Sequence, residues 1–166
     1  MLQEDRDLFD TLRAKHWPTV CAQMLAEPPA GDLPRLFRSR WVEFGERIRV
    51  CTADDKLLTK ALRAWLPIYD GHGLTLYRGE SAARYEAGRL GFNWTTKRAT
   101  AEIFGSGWNA LHPGGGCLLC CDVPAGAIIS APDSHSRWLG EDEYVVEPAM
   151  LEGVVVIAEY PRSGQQ

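Results

Sequence analysis

The chain's 166 residues suit a single domain with a proper core, and 45% hydrophobic with 24% charged residues is ordinary for a globular protein. A formal charge of -4 argues against a nucleic-acid backbone as the main partner, although a local basic groove remains compatible with it. No apolar run approaches the length of a membrane span and the acidic start Met1-Leu2-Gln3-Glu4-Asp5 is no secretory signal, so no membrane association is expected. The five cysteines are read as buried free thiols of a reducing, cytoplasmic setting. The lone Cys117-x-x-Cys120, with Cys121 behind it, lacks the second pair or nearby histidines that a zinc site needs, and no metal is expected.

The first third reads as helical. Leu8, Phe9 and Leu12 suggest an amphipathic turn or two. Pro18 suits the first turn of a helix carrying Cys21, Met24 and Leu25, and Pro28-Pro29-Ala30-Gly31 breaks it. Asp32 is placed to cap the next helix, whose apolar stripe is Phe37, Trp41, Phe44 and Ile48. Arg35, Arg38, Arg40, Arg47 and Arg49 form its solvated side, with phosphate contacts as a second use. Leu58, Leu62, Trp65 and Leu66 make another stripe, ended by Pro67. Aromatic stripes at this spacing are core, and nothing here carries chemistry.

After Asp70-Gly71-His72-Gly73 the texture changes. Leu74-Thr75-Leu76-Tyr77-Arg78-Gly79 alternates as a strand does, and Phe92 to Thr96 reads as a short strand. A threonine then caps a helix from about Lys97 to Phe104, ended by Gly105-Ser106-Gly107. Strands follow at Cys117 to Val123, Ala127 to Ser130, Glu143 to Glu147 and Val154 to Tyr160. Helices first and strands afterwards indicate one α+β domain over 1–166: a helical region at 1–70 and a mostly antiparallel, two-sheet core at 71–161.

Three short motifs stand out in this second part. Arg78 ends a strand, where its planar cation could clamp a diphosphate, and Gly79 after it would let a ligand approach the backbone. Equally, many strands end in a salt-bridged arginine. Asn93-Trp94-Thr95-Thr96 offers polar groups beside an aromatic wall, or is simply a strand-to-helix junction. Glu141-x-Glu143, read as strand, puts two carboxylates on one face; they suit a cation held between them, or are the solvated acids of an exposed strand end. No phosphate-binding loop, nucleophile triad or histidine metal set can be read from spacing.

In this order, Tyr77-Arg78-Gly79, Asn93-Trp94-Thr95 and Glu141-Asp142-Glu143-Tyr144-Val145-Val146 resemble the mono-ADP-ribosyltransferases of the arginine-serine-glutamate type, over residues 74 to 160. The middle motif departs from the family's Ser-x-Ser: asparagine stands in place of the first serine, or a register slipped by one makes Thr95 and Thr96 the hydroxyls. The resemblance implies a split β-sandwich core and NAD as co-substrate. Glu143 is the catalytic carboxylate beside the ribose and Glu141 orients the acceptor, a macromolecule and first of all a protein arginine. Arg78, with Gly79, holds the diphosphate, while Asn93, Trp94 and Thr95 line the nicotinamide-ribose pocket. Trp138, in the loop before the acids, faces the substrate. It further implies an effector or toxin, delivered into another cell in some members, with an antitoxin or immunity protein as neutralising partner. Two alternatives stay open: an NAD glycohydrolase with water as acceptor, and a binding module with a disabled pocket.

Overall fold

The computed structural model describes residues 16–162, which form two compact units. One comprises the chain up to Ile68 together with Asp133–His135; the other comprises Tyr69–Pro132 and the chain from Ser136 onward. The turn read around Leu8, Phe9 and Leu12 lies outside the described residues.

The first unit contains α1 (Trp17–Ala26), α2 (Leu33–Thr52) and α3 (Asp55–Trp65). Pro18 and Pro34 sit in first turns, where the missing N–H has no helical partner to lose. Asp54 caps α3, its carboxylate accepting from the Leu57 N–H at 2.9 Å. Trp17, Phe37, Trp41, Ile48, Leu58 and Leu62 are fully buried, with the Phe37 ring tilted against both tryptophans. Two expectations are corrected here. Asp32 makes no cap with its side chain and pairs instead with Arg35 at 3.3 Å, a bond available because the two are one helical turn apart. Arg38, read as solvated, is 1% exposed, because it lies one helical turn before Trp41 on the buried side of the helix. In the same unit Ser39 donates to Asp133, and His135 Nε2 lies 2.8 Å from Glu43 Oε1.

The second unit is built on β1 (Leu74–Ser81), β2 (Asn93–Thr95), β3 (Gly116–Val123), β4 (Ile128–Ser130), β5 (Glu143–Val146) and β6 (Val155–Tyr160). Three short α-helices accompany them: α4 (Ala82–Glu86), α5 (Arg98–Ser106) and α6 (Ser134–Trp138), whose first two residues are counted with the first unit; of these the sequence suggested only α5. The class is α+β as expected. The strands, however, make one antiparallel sheet in the order β4-β5-β2-β1-β3-β6, where two sheets were expected. The join is narrow. β1 pairs with β3 at every residue from Leu74 (opposite Val123) to Ser81 (opposite Gly116), but with β2 only where Tyr77 faces Thr95. The sheet is thus two three-stranded halves meeting at one residue pair.

Leu76, Trp94, Leu119, Cys121, Val123, Ile128 and Val146 form the core on one face. Against the other face lies α5, and three glycines let it approach. A Cβ on Gly79 would sit 2.3 Å from the Gly105 nitrogen, and one on Gly116 would sit 2.0 Å from the Gly105 oxygen. This packing explains why α5 runs through Gly105 to Ser106 rather than stopping short. No threonine caps it; Lys97 holds the cap position, its N–H bonded to Thr95 Oγ1 at 3.0 Å. All five cysteines are free, and burial, then the nearby Glu80 charge, pushes the Cys117 thiol up to about 11. Among the described residues no helix is long and apolar enough to cross a membrane.

Candidate active site

Register fixes which side chains share a face. Tyr77 on β1 stands opposite Thr95 on β2, and Thr95 opposite Glu143 on β5. Directly opposed residues point the same way, and by alternation Asn93 joins them. Arg78, Glu80, Trp94 and Tyr144 are therefore on the other, core-bearing face.

Past the Tyr77–Thr95 pair, β1 and β2 part, and side chains take over from the ladder. Arg78 Nη1 donates to the Asn93 carbonyl at 2.6 Å, while its Nε donates to Glu80 Oε2 at 2.8 Å. A Cβ on Gly91 would lie 2.0 Å from Arg78 Nη2, so glycine is what lets the guanidinium rest on that backbone. Glu80 is 0% exposed and also accepts from the Gly91 N–H at 3.1 Å and the Ser81 N–H at 3.0 Å, with Arg84 Nε 3.6 Å away. Burial pushes its carboxyl up, but the Arg78 and Arg84 charges and these hydrogen bonds prevail and hold it below the usual range.

Across β2, Asn93 Nδ2 donates to Glu143 Oε2 at 2.9 Å. Asn93 thus touches both other motifs, Arg78 through its carbonyl and Glu143 through its amide. Within the middle motif it is the Asn93 side chain that bonds Glu143, while Thr95 Oγ1 accepts from the Lys97 N–H.

Glu143 begins β5, and its N–H donates to Ser136 Oγ at 2.8 Å. Ser136 is fully buried, and its carbonyl accepts from the N–H groups of Glu141 at 3.0 Å and Asp142 at 3.4 Å. Gly140 (φ 77°) and Asp142 (φ 44°) take left-handed conformations in this turn, and Lys97 pairs with Asp142. Strand alternation therefore starts at Glu143, and the expectation that it sets Glu141 on the same face is corrected: the turn at Asp142 interrupts it.

The remaining candidates separate. Trp94 is 1% exposed, its Nε1 donating to the Gly91 carbonyl at 2.9 Å, so it belongs to the core rather than a pocket wall. Thr95 is buried and holds the Lys97 N–H. Gly79 meets α5, which accounts for glycine there without a ligand. Trp138 is 80% exposed and ends α6, where the sequence suggested a loop ahead of the acids. An open hollow of about 720 Å³ lies at the other end of β1, lined by Gly73, Thr75, Asp122 and Met150 among others. Among the described residues no group of three or more metal-ligating side chains is placed to hold a metal ion.

Sequence reasoning missed Glu80, Gly91 and Ser136. Glu80 left a signal, since Arg78 and Glu80 two apart on a strand must share a face. Ser136 left none, because its partners lie five to seven residues on in an irregular turn. No protein-family model matches this chain, and no curated protein or solved structure is significantly similar to it.

Proposed function

We propose that this chain is an NAD-dependent mono-ADP-ribosyltransferase, cleaving the nicotinamide–ribose bond and passing ADP-ribose to a macromolecular acceptor, a protein arginine first. The observation that carries the reading is the double role of Asn93, which bonds Arg78 and Glu143 just past the Tyr77–Thr95 pair that joins the two sheet halves.

Nicotinamide leaves neutral, so positive charge develops on the ribose, as on sugars in glycoside hydrolysis. A fixed carboxylate beside that carbon lowers the transition state more than the ground state. Glu143 supplies the charge and takes the ribose 2'-hydroxyl, while the Asn93 N–H fixes one of its oxygens. Arg78 takes a different part from a simple diphosphate anchor. Its Nε and Nη1 brace the seam and its Nη2 packs on the Gly91 backbone, on the sheet face opposite Glu143, so its part is to hold Asn93 rather than the diphosphate. Glu141 binds the acceptor guanidinium and assists its proton loss. Trp138, exposed ahead of the acids, contacts the acceptor protein.

The test is incubation with NAD while following free nicotinamide, comparing the wild type with Glu143→Gln. Release by the wild type and its loss in the variant are expected; equal release by both would remove Glu143 from its role. Glu141→Gln separates transfer from hydrolysis. It should still release nicotinamide but fail to label an arginine-bearing target, and a parallel fall in both activities would refute the division of labour.

A further inference from the structure

We propose that Glu80 is a positioning residue for Glu143, locking the Arg78 guanidinium across the β1–β2 seam so that Arg78 holds the Asn93 main chain and the Asn93 amide holds the carboxylate. The inference rests on Glu143 being the catalytic group. Its basis is a continuous run of contacts, Glu80 Oε2 to Arg78 Nε at 2.8 Å, Arg78 Nη1 to Asn93 O at 2.6 Å, and Asn93 Nδ2 to Glu143 Oε2 at 2.9 Å.

The seam needs such a device because the main chain supplies only the Tyr77–Thr95 pair. An arginine has several rotatable bonds, and left to itself it would not hold one carbonyl in a fixed place. Fastening Nε to a carboxylate settles the plane of the guanidinium and therefore where Nη1 points. Glu80 is suited to this because it is itself immobile, fully buried and bonded to backbone N–H groups on both sides of the seam, Ser81 on the β1 side and Gly91 ahead of β2. A buried ion pair is a poor device for stability alone, since well-packed apolar side chains of similar volume often do as well or better. Its geometry is what such packing would not reproduce. Glu80 lies on the core face, away from Glu143, so its influence is transmitted through Arg78 and Asn93.

The test uses the full-length protein, with two independent readouts on Glu80→Gln. The Asn93 side-chain amide resonances, assigned through their disappearance in Asn93→Ala, are displaced by Glu143→Gln and should be displaced by Glu80→Gln as well. In nicotinamide release, kcat should fall about tenfold to a hundredfold, as misplacement of a catalytic group does. KM for NAD should stay within about twofold, because uniform binding is untouched. Combining Glu80→Gln with Asn93→Ala should be no worse than Asn93→Ala alone. If Glu80→Gln does not fold, Glu80→Asp, one methylene shorter and still charged, should give the same displacement in smaller measure. A folded Glu80 variant with unmoved Asn93 resonances, or additive losses in the double variant, overturns the proposal. Should the wild type release no nicotinamide while the Asn93 amide answers to Glu80, the positioning run stands and the transferase reading falls.

Discussion

The two edges of β1 are held by different means. Toward β3 the main chain pairs along the whole strand, and the side chains that pack there, Leu76 with Leu119 and Cys121, are apolar and fully buried. Toward β2 a single pair remains, and the side chains at the gap are Arg78, Glu80 and Asn93. The difference follows from the obligation to satisfy backbone groups: where the ladder ends, the Asn93 carbonyl and the Gly91 N–H need other partners, and charged side chains provide them. The first edge gives the unit its stability. The second holds polar groups at fixed positions, Arg78, Glu80 and Asn93 with Glu143 beside them.

This contrast can be broken from either side. The largest effect is expected at Glu143, next to the seam: Glu143→Gln should lower nicotinamide release by about 10²–10³-fold, the range for losing one preorganised electrostatic contact. Its melting temperature should change little. Leu119→Ala, on the well-paired edge, should do the reverse, costing about 2–5 kcal/mol in denaturant unfolding while kcat per folded molecule is kept. Asn93→Ala comes next, with kcat down about tenfold to a hundredfold by misplacement of Glu143. Asn93→Ser should recover part of that loss, because a hydroxyl can also donate to the carboxylate; recovery with valine instead would deny the hydrogen bond its part.

The smallest effect is in pH dependence. The Glu80 carboxyl titrates below its ordinary value of 4.5 in the folded protein, so it binds its proton less readily there than in the unfolded chain. Its stabilising contribution is therefore fully present above 4.5 and is lost as pH falls through the lowered folded value. Melting curves taken across that acid window should fall less steeply for Glu80→Gln than for the wild type, and identical slopes would mean that Glu80 does not titrate with folding.

Much of this was legible in the chain itself. Period-3.6 stripes gave the three helices of the first unit, and strand-forming runs bounded by glycine and proline gave the strands to within a residue or two. Two kinds of feature escaped. Local pattern does not reveal how strands are ordered, and so a sheet joined by one pair was expected as two. Nor does it show which polar residue goes inside: Arg38 is buried by the packing of its helix, and Ser136 by a turn whose left-handed residues, Gly140 and Asp142, only the folded backbone displays. Of the candidate site, Arg78, Asn93 and Glu143 were visible as motifs and are joined by hydrogen bonds. Trp94 was misjudged because its neighbours Asn93 and Thr95 face the other way, and Glu80 because its partner Arg78 drew the attention.

The most direct measurement is a crystal structure of the Glu143→Gln variant with NAD. The account predicts the nicotinamide ribose beside residue 143 and the Asn93 amide. A dinucleotide seated instead in the hollow around Gly73, Thr75 and Met150, or bound with its ribose away from the β2–β5 pair, would contradict it.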